Sequence, residues 1–488
     1  MSNTTRRTSL LCFLACFPLL AACGGDDPAP ASPPASLIPW EACLGTLECA
    51  SFEVPINEDD PAMGNFVLPL IRHPATNPDK RIGSILFNPG GPGGSGVSYV
   101  KNAWVAMPSA IQESFDLVGF DPRGQAESTP AIDCVDDLGP LVALDLTPDD
   151  AAERQAILDE TDKFVAGCDI RSKEILPFIG TDQIVKDMDR LREALGDEKL
   201  SYMGFSYGTF LGTIYADTYP DKVRALVLDA PLDPSLTGEQ FIEGQALAFE
   251  DELEAFLDAC AADPASPFYS NGDPRAAYDA LLASIETKPM PVGVRNLGPG
   301  EFSYAVAAPL YRPSGWKKLA AALALATTGD ASGLLALSDG YVDRNNAGTY
   351  GNSLEVYYAV TSVDTVFAKD PAVYEAMTND LRVKAPRLGA TFPYTALPSA
   401  RWNVASWRTP APANAVGAPP ILVVGGTGDP ATPYAWSVAL ASQLDSATLL
   451  TRDGLGHVSF LKGITCIDQA ISDYIVDLKM PTKGTVCK

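Results

Sequence analysis

Short apolar runs alternate with amphipathic ones along much of this chain. Residues 82–87, IGSILF, and 115–120, FDLVGF, are nearly continuous apolar runs, the mark of strands buried on both faces. From about Asp182, residues Ile184, Val185, Met188, Leu191 and Leu195 recur at helical spacing, with Thr181 the expected cap. The Gly196-Asp197 turn leads to a strand at 200–204, a helix to about Thr218 and a further strand, VRALVL, at 223–228. Strands alternating with helices predict a mostly parallel sheet flanked by helices, an α/β architecture. The rhythm changes after Pro234, where amphipathic helical runs such as 241–261 and 316–326 take over to about Pro410. Strand patterns return at 421–424 and 447–450. The expected organisation is a core in two parts, 39–235 and 411–488, with a large helical cap inserted over 236–410.

The first 38 residues have a different character. Arg6 and Arg7 precede an apolar run from Leu10 to Ala22, too short to span a bilayer and typical of a secretory signal. Leu20-Ala21-Ala22-Cys23 resembles a bacterial lipobox, which implies removal of 1–22 and lipidation of Cys23. Residues 24–37, GGDDPAPASPPASL, complete a flexible tether over 23–38. A body held by a lipid anchor in the cell envelope, or secreted, is expected, with the anchor as its one membrane contact. The net charge of −26 argues against nucleic acid, whose phosphates need clustered Lys and Arg.

Export permits disulfides. Setting aside Cys12, Cys16 and Cys23 leaves seven cysteines. Proximity suggests Cys43–Cys49, Cys134–Cys168 and Cys466–Cys487, although spacing does not fix connectivity. Cys260 is then the odd thiol. With no C-x-x-C pair and no H-E-x-x-H, neither a metal site nor a cofactor is expected.

Gly204-Phe205-Ser206-Tyr207-Gly208 reads G-x-S-x-G, between a predicted strand and a predicted helix. A serine on such a turn offers its hydroxyl to a carbonyl carbon, provided a base takes its proton. The chain has two histidines, His73 and His457. His73 precedes the serine and closes an apolar strand, which fits a structural role. His457 lies in a glycine-rich loop, GLGH, after the last predicted strand. Asp429 ends GGTGD directly after ILVV and is the expected partner of His457, with Asp229 and Asp233 as alternatives. Two backbone N–H groups should hold the oxyanion: that of Tyr207 and that of Gly91, or else Gly90, from the loop NPGGPGGSG at 88–96.

Together NPGGPGGSG, FDPRG, GFSYG, GTGDPATP and GLGH resemble the prolyl and tripeptidyl aminopeptidase branch of the α/β-hydrolases, over nearly all of the mature chain. In the cap, Leu310-Tyr311 and Trp316-Lys317-Lys318-Leu319-Ala320 add to the likeness. The resemblance implies a serine exopeptidase acting on peptides with free N-termini. Relatives often carry a second cysteine shortly after the one matching Cys260, where this chain has Ser266. A carboxylesterase or lipase with the same triad is the alternative, and a non-catalytic surface binding protein is a third. Recognition of a substrate ammonium favours a carboxylate, for which Glu239, Glu243 and Glu250 at the start of the insertion are candidates.

Overall fold

In the computed structural model, residues 36–488 are described. The signal run, Cys23 and nearly all of the tether lie outside them. Among the described residues no helix is long and apolar enough to cross a membrane.

Ten strands form one sheet: β1 (Glu41–Leu44), β2 (Leu47–Pro55), β3 (Asn65–His73), β4 (Gly83–Asn88), β5 (Phe115–Phe120), β6 (Leu200–Phe205), β7 (Val223–Asp229), β8 (Ile421–Gly428), β9 (Ala447–Leu455) and β10 (Val486–Cys487). Their spatial order is β1-β2-β3-β5-β4-β6-β7-β8-β9-β10. From β5 to β10 every pairing is parallel. The β1–β2–β3 meander pairs antiparallel and joins the sheet through β3 and β5. All residues of β4, β5 and β6 are buried, as strands covered by helices on both faces must be. This is the α/β-hydrolase fold.

The chain leaves the sheet after β7 and returns at β8. Between them lie mostly helices, beginning with the 25-residue α5 (Gly238–Ala262) and ending with a short turn of helix at Leu397–Ala400. This cap has a core of its own, built on Phe249, Leu253, Phe256, Tyr278, Phe302 and Leu323. Sequence periodicity did not announce α2 (Ala151–Arg171) between β5 and α3 (Thr181–Ala194), because its polar and apolar residues form no clean stripe. Gly180 rather than Thr181 caps α3, and the Thr181 hydroxyl bonds Asp364 Oδ2 (2.7 Å) and the Tyr207 hydroxyl (2.7 Å) instead.

Three disulfides close local loops: Cys43–Cys49, Cys134–Cys168 and Cys466–Cys487. Cys260 is a buried free thiol. His73 is structural, stacked on Trp104 with Nε2 3.0 Å from Thr46 Oγ1, and burial lowers its pKa.

Candidate active site

Strand β6 runs straight into helix α4 (Tyr207–Thr218) through Ser206, at φ 55° and ψ −125°. Such a conformation is costly for a residue with a Cβ, and surrounding structure must hold it. Here the Ser206 N–H donates to Asp229 O at 3.1 Å, Thr209 Oγ1 donates to Ser206 O at 2.6 Å, and Tyr202 Oη donates to Gly208 O at 2.7 Å. A Cβ on Gly204 would lie 2.2 Å from Gly208 O, so the turn closes only without a side chain there. The same holds at Gly90, where a Cβ would lie 2.5 Å from Phe205 O and 2.8 Å from the Ser206 Cβ.

That glycine loop follows β4, the neighbour of β6. Within it, Gly90 N–H donates to Asn88 Oδ1, Gly93 N–H to Gln125 Oε1 and Gly94 N–H to Gly90 O. Pro92 has no N–H, which leaves that of Gly91, a residue of the cavity wall beside Ser206 and Tyr207. Tyr207 is the first residue of α4, where N–H groups have no helical partner. The loop is anchored from β5: Asp121 accepts from Ser95 Oγ (2.7 Å) and Val97 N (3.2 Å). Arg123, also from FDPRG, is buried in a bidentate pair with Asp187, both contacts 2.7 Å. Its role is structural.

Asp429 follows β8, and His457 follows β9, the strand alongside. His457 Nδ1 lies 2.8 and 2.9 Å from the two Asp429 oxygens. Asp429 is fixed in turn by the N–H groups of Ala431 (3.0 Å) and Thr432 (2.9 Å). With Nδ1 engaged by Asp429, Nε2 is the imidazole nitrogen that this pair leaves unused. The His457 N–H donates to Tyr311 O from the cap at 2.8 Å, and the Tyr311 ring meets the imidazole edge-on.

The two alternative acids do other work. Asp229 accepts the N–H groups of Ser459 and Phe460 and so pins the loop just past His457. Burial pushes its carboxyl up to about 6. Asp233 caps its own turn through Ser235 and accepts from Gln443.

None of the three glutamates lines the cavity. On α5 the face turned to it carries Phe241, Gln245 and Phe249, spaced by four, and positions 239, 243 and 250 fall off that stripe. Glu239 accepts Ala368 N–H (2.7 Å), Glu243 pairs with Lys384 (3.3 Å), and Glu250 caps the N–H groups of Arg387, Leu388 and Gly389.

Three further residues escaped the sequence reading. Thr432 Oγ1 stands 3.4 Å from His457 Nδ1. Arg452 donates to the carbonyls of Leu455 and Gly456, shaping the histidine loop. Glu252, from α5, is 2 % exposed, and burial, reinforced by Asp429 and opposed by Arg452, pushes it up to about 8. The GTGDPATP motif contained Thr432, but nothing in sequence linked Glu252 to residues 200 positions away.

Fold, elbow, glycine loop and the Asp–His pair together define a serine hydrolase of the α/β-hydrolase class. Residues 83–272 match the alpha/beta hydrolase fold family and residues 385–487 the TAP-like protein family. The chain is 34% identical to serine protease Hip1 of Mycobacterium tuberculosis over 91% of its length and 88% of that protein. It is 34% identical to carboxylesterase B of the same organism, over 92% and 89%, and 32% identical to the tripeptidyl aminopeptidase of Streptomyces lividans, over 92% and 86%. The chain belongs to this TAP-like α/β-hydrolase family of serine peptidases.

Proposed function

We propose that the protein is an exported serine peptidase that releases tripeptides or other short segments from free peptide N-termini through an acyl-enzyme. Ser206 Oγ attacks the scissile carbonyl while His457 Nε2 takes its proton. The same nitrogen then protonates the leaving amine, and water repeats the sequence on the ester. Asp429 holds the imidazole tautomer and stabilises its charged form. The Gly91 and Tyr207 N–H groups bind the oxyanion. The observation that carries this reading is the Asp429–His457 pair, hydrogen-bonded to both carboxylate oxygens and backed by two amides. Exopeptidase action is supported by the cap over Ser206, which leaves a cavity of about 260 Å³, and by the relative named a tripeptidyl aminopeptidase. Cleavage before Cys23 and lipidation there would hold the enzyme in the cell envelope.

A second reading, an esterase, is favoured by one feature: among the described residues no carboxylate lines the cavity to pair with an ammonium. Purified protein and its Ser206→Ala variant, given tripeptidyl anilides with free and blocked N-termini and short acyl esters, separate the two. Cleavage of free anilides alone is expected. Ester turnover without anilide turnover would remove the peptidase reading, and activity surviving in Ser206→Ala would remove the mechanism.

A further inference from the structure

The cavity that opens on Ser206 is closed by side chains from both core and cap. Tyr304 and Ser303 come from α6 (Pro299–Leu310), Tyr357 and Tyr358 from α7 (Ser353–Asp364), and Phe249 from α5. Among the described residues its walls hold aromatic, aliphatic, hydroxyl and amide groups, and no Asp, Glu, Lys, Arg or His. The tyrosine hydroxyls remain neutral at any working pH, since burial raises Tyr304 to about 12 and Tyr311 and Tyr357 further. A smaller space of about 70 Å³ shares Gly91, Tyr207, Leu232, Phe241 and Tyr357 with it and does have ionisable walls, Asp233, Asp364 and Arg408. Each is already engaged. Asp364 accepts from Thr181 N, Thr181 Oγ1 and Trp407 Nε1. Arg408 donates to the carbonyls of Pro234 and Ala411, and Asp233 accepts from Ser235 and Gln443.

We infer that the site is specific for a neutral, aromatic or branched apolar side chain on the residue whose carbonyl Ser206 attacks, and rejects ionised side chains of either sign. The inference rests on Ser206 being the nucleophile and deepens the proposed function by naming its substrate class. The physical reason is asymmetric. An apolar side chain exchanges water for aromatic faces and gains by it. Within the larger cavity an ammonium or carboxylate would lose its hydration with no opposite charge on the walls to meet it. Because the walls of the larger cavity carry no group that titrates near neutrality, a preference set there should not vary with pH beyond the substrate's own ionisation.

Isosteric pairs read charge apart from size. Tripeptidyl p-nitroanilides ending in Gln or Glu, and in norleucine or Lys, are compared at pH 7.5 by kcat/KM. The neutral member should exceed the charged one by about 100-fold in both pairs. Ratios below tenfold in either pair would overturn the inference. A variant guards against a trivial cause: Ser303→Asp, at a position whose native hydroxyl bonds only Pro299 O, puts a carboxylate in the wall. It should raise the Lys-to-norleucine ratio at least tenfold, and an unchanged ratio would show that the side chain does not enter this cavity. The p-nitrophenyl esters of the same acyl groups are run in parallel. If esters turn over and anilides do not, the peptidase reading fails, while the charge ratios on esters still decide this one.

Discussion

The two halves of the site are built on opposite principles. At the end of the sheet, position is set by backbone: Ser206, Ala230 and Val458 sit at positive φ of 55°, 61° and 66°, and amides secure Asp429, Asp229 and the elbow. In the cap, the site is a surface of side chains gathered from distant helices, such as the Tyr311–Tyr341 hydroxyl pair at 3.2 Å. Ser206 carries such strain in the cavity wall itself, whereas no cap residue that lines the cavity has a positive φ. The contrast teaches that the reaction is written into the core and the choice of molecule into the cap.

The comparison breaks first at the core. Asp429→Asn keeps the shape but offers an amide to Nδ1, so the wrong tautomer is favoured. We expect kcat to fall roughly 10³–10⁴-fold with KM nearly unchanged, measured on the best neutral anilide. Gly204→Ala comes next, because its Cβ would stand 2.2 Å from Gly208 O, a backbone atom that cannot step aside. Overpacking here should cost about 1–3 kcal/mol and lower Tm and kcat together, checked by thermal unfolding and titration of the nucleophile with a fluorophosphonate. In the cap the effects shrink. Tyr341→Phe removes one hydroxyl partner of Tyr311, which should raise KM by about 2–10-fold and leave kcat within twofold. A matching fall in kcat would show that the cap contact also positions His457.

What could be read in the sequence divides along the same line. Ser206, Asp429 and His457 were legible because each sits in a glycine-rich turn after a buried strand, and chain order restricts the pairing. The strands from β4 to β9 were legible because buried parallel strands are nearly continuous apolar runs, whereas the two-residue β10 is too short to leave such a run. The ammonium-binding glutamates were misplaced because a helix of 25 residues displays acid on several faces, and only packing against Trp436 and the residues near Ala431 decides which face looks inward. Thr181 was expected to cap a helix, yet its hydroxyl is claimed by Asp364, 183 residues on. Long-range partners of this kind leave no periodic trace.

Glu252 lies on the seam between the two regions, and it gives the smallest and most specific test. It belongs to the cap helix α5, yet Asp429 of the core raises its pKa and Arg452, which holds the histidine loop, lowers it. Its Oε1 is buried without a hydrogen-bond partner. Because the folded pKa of about 8 stands above the ordinary glutamate value of 4.5, the native state binds this proton more tightly than the unfolded chain does. The resulting stability is complete below pH about 4.5 and is lost as pH rises through about 8. Asp187, Asp229 and Asp364, raised to about 6, and Glu355, raised to about 7, follow the same sign but titrate earlier. These other groups are common to the parent and to a Glu252 variant, so the difference between the two from pH 7 to 9 reads Glu252. Glu252→Gln, neutral throughout, should match the parent Tm at pH 5 and exceed it by about 2–4 °C at pH 9, followed by scanning calorimetry. Parallel curves would mean that Arg452 fully offsets the carboxylate, and the seam would then be an ion pair and not a buried acid.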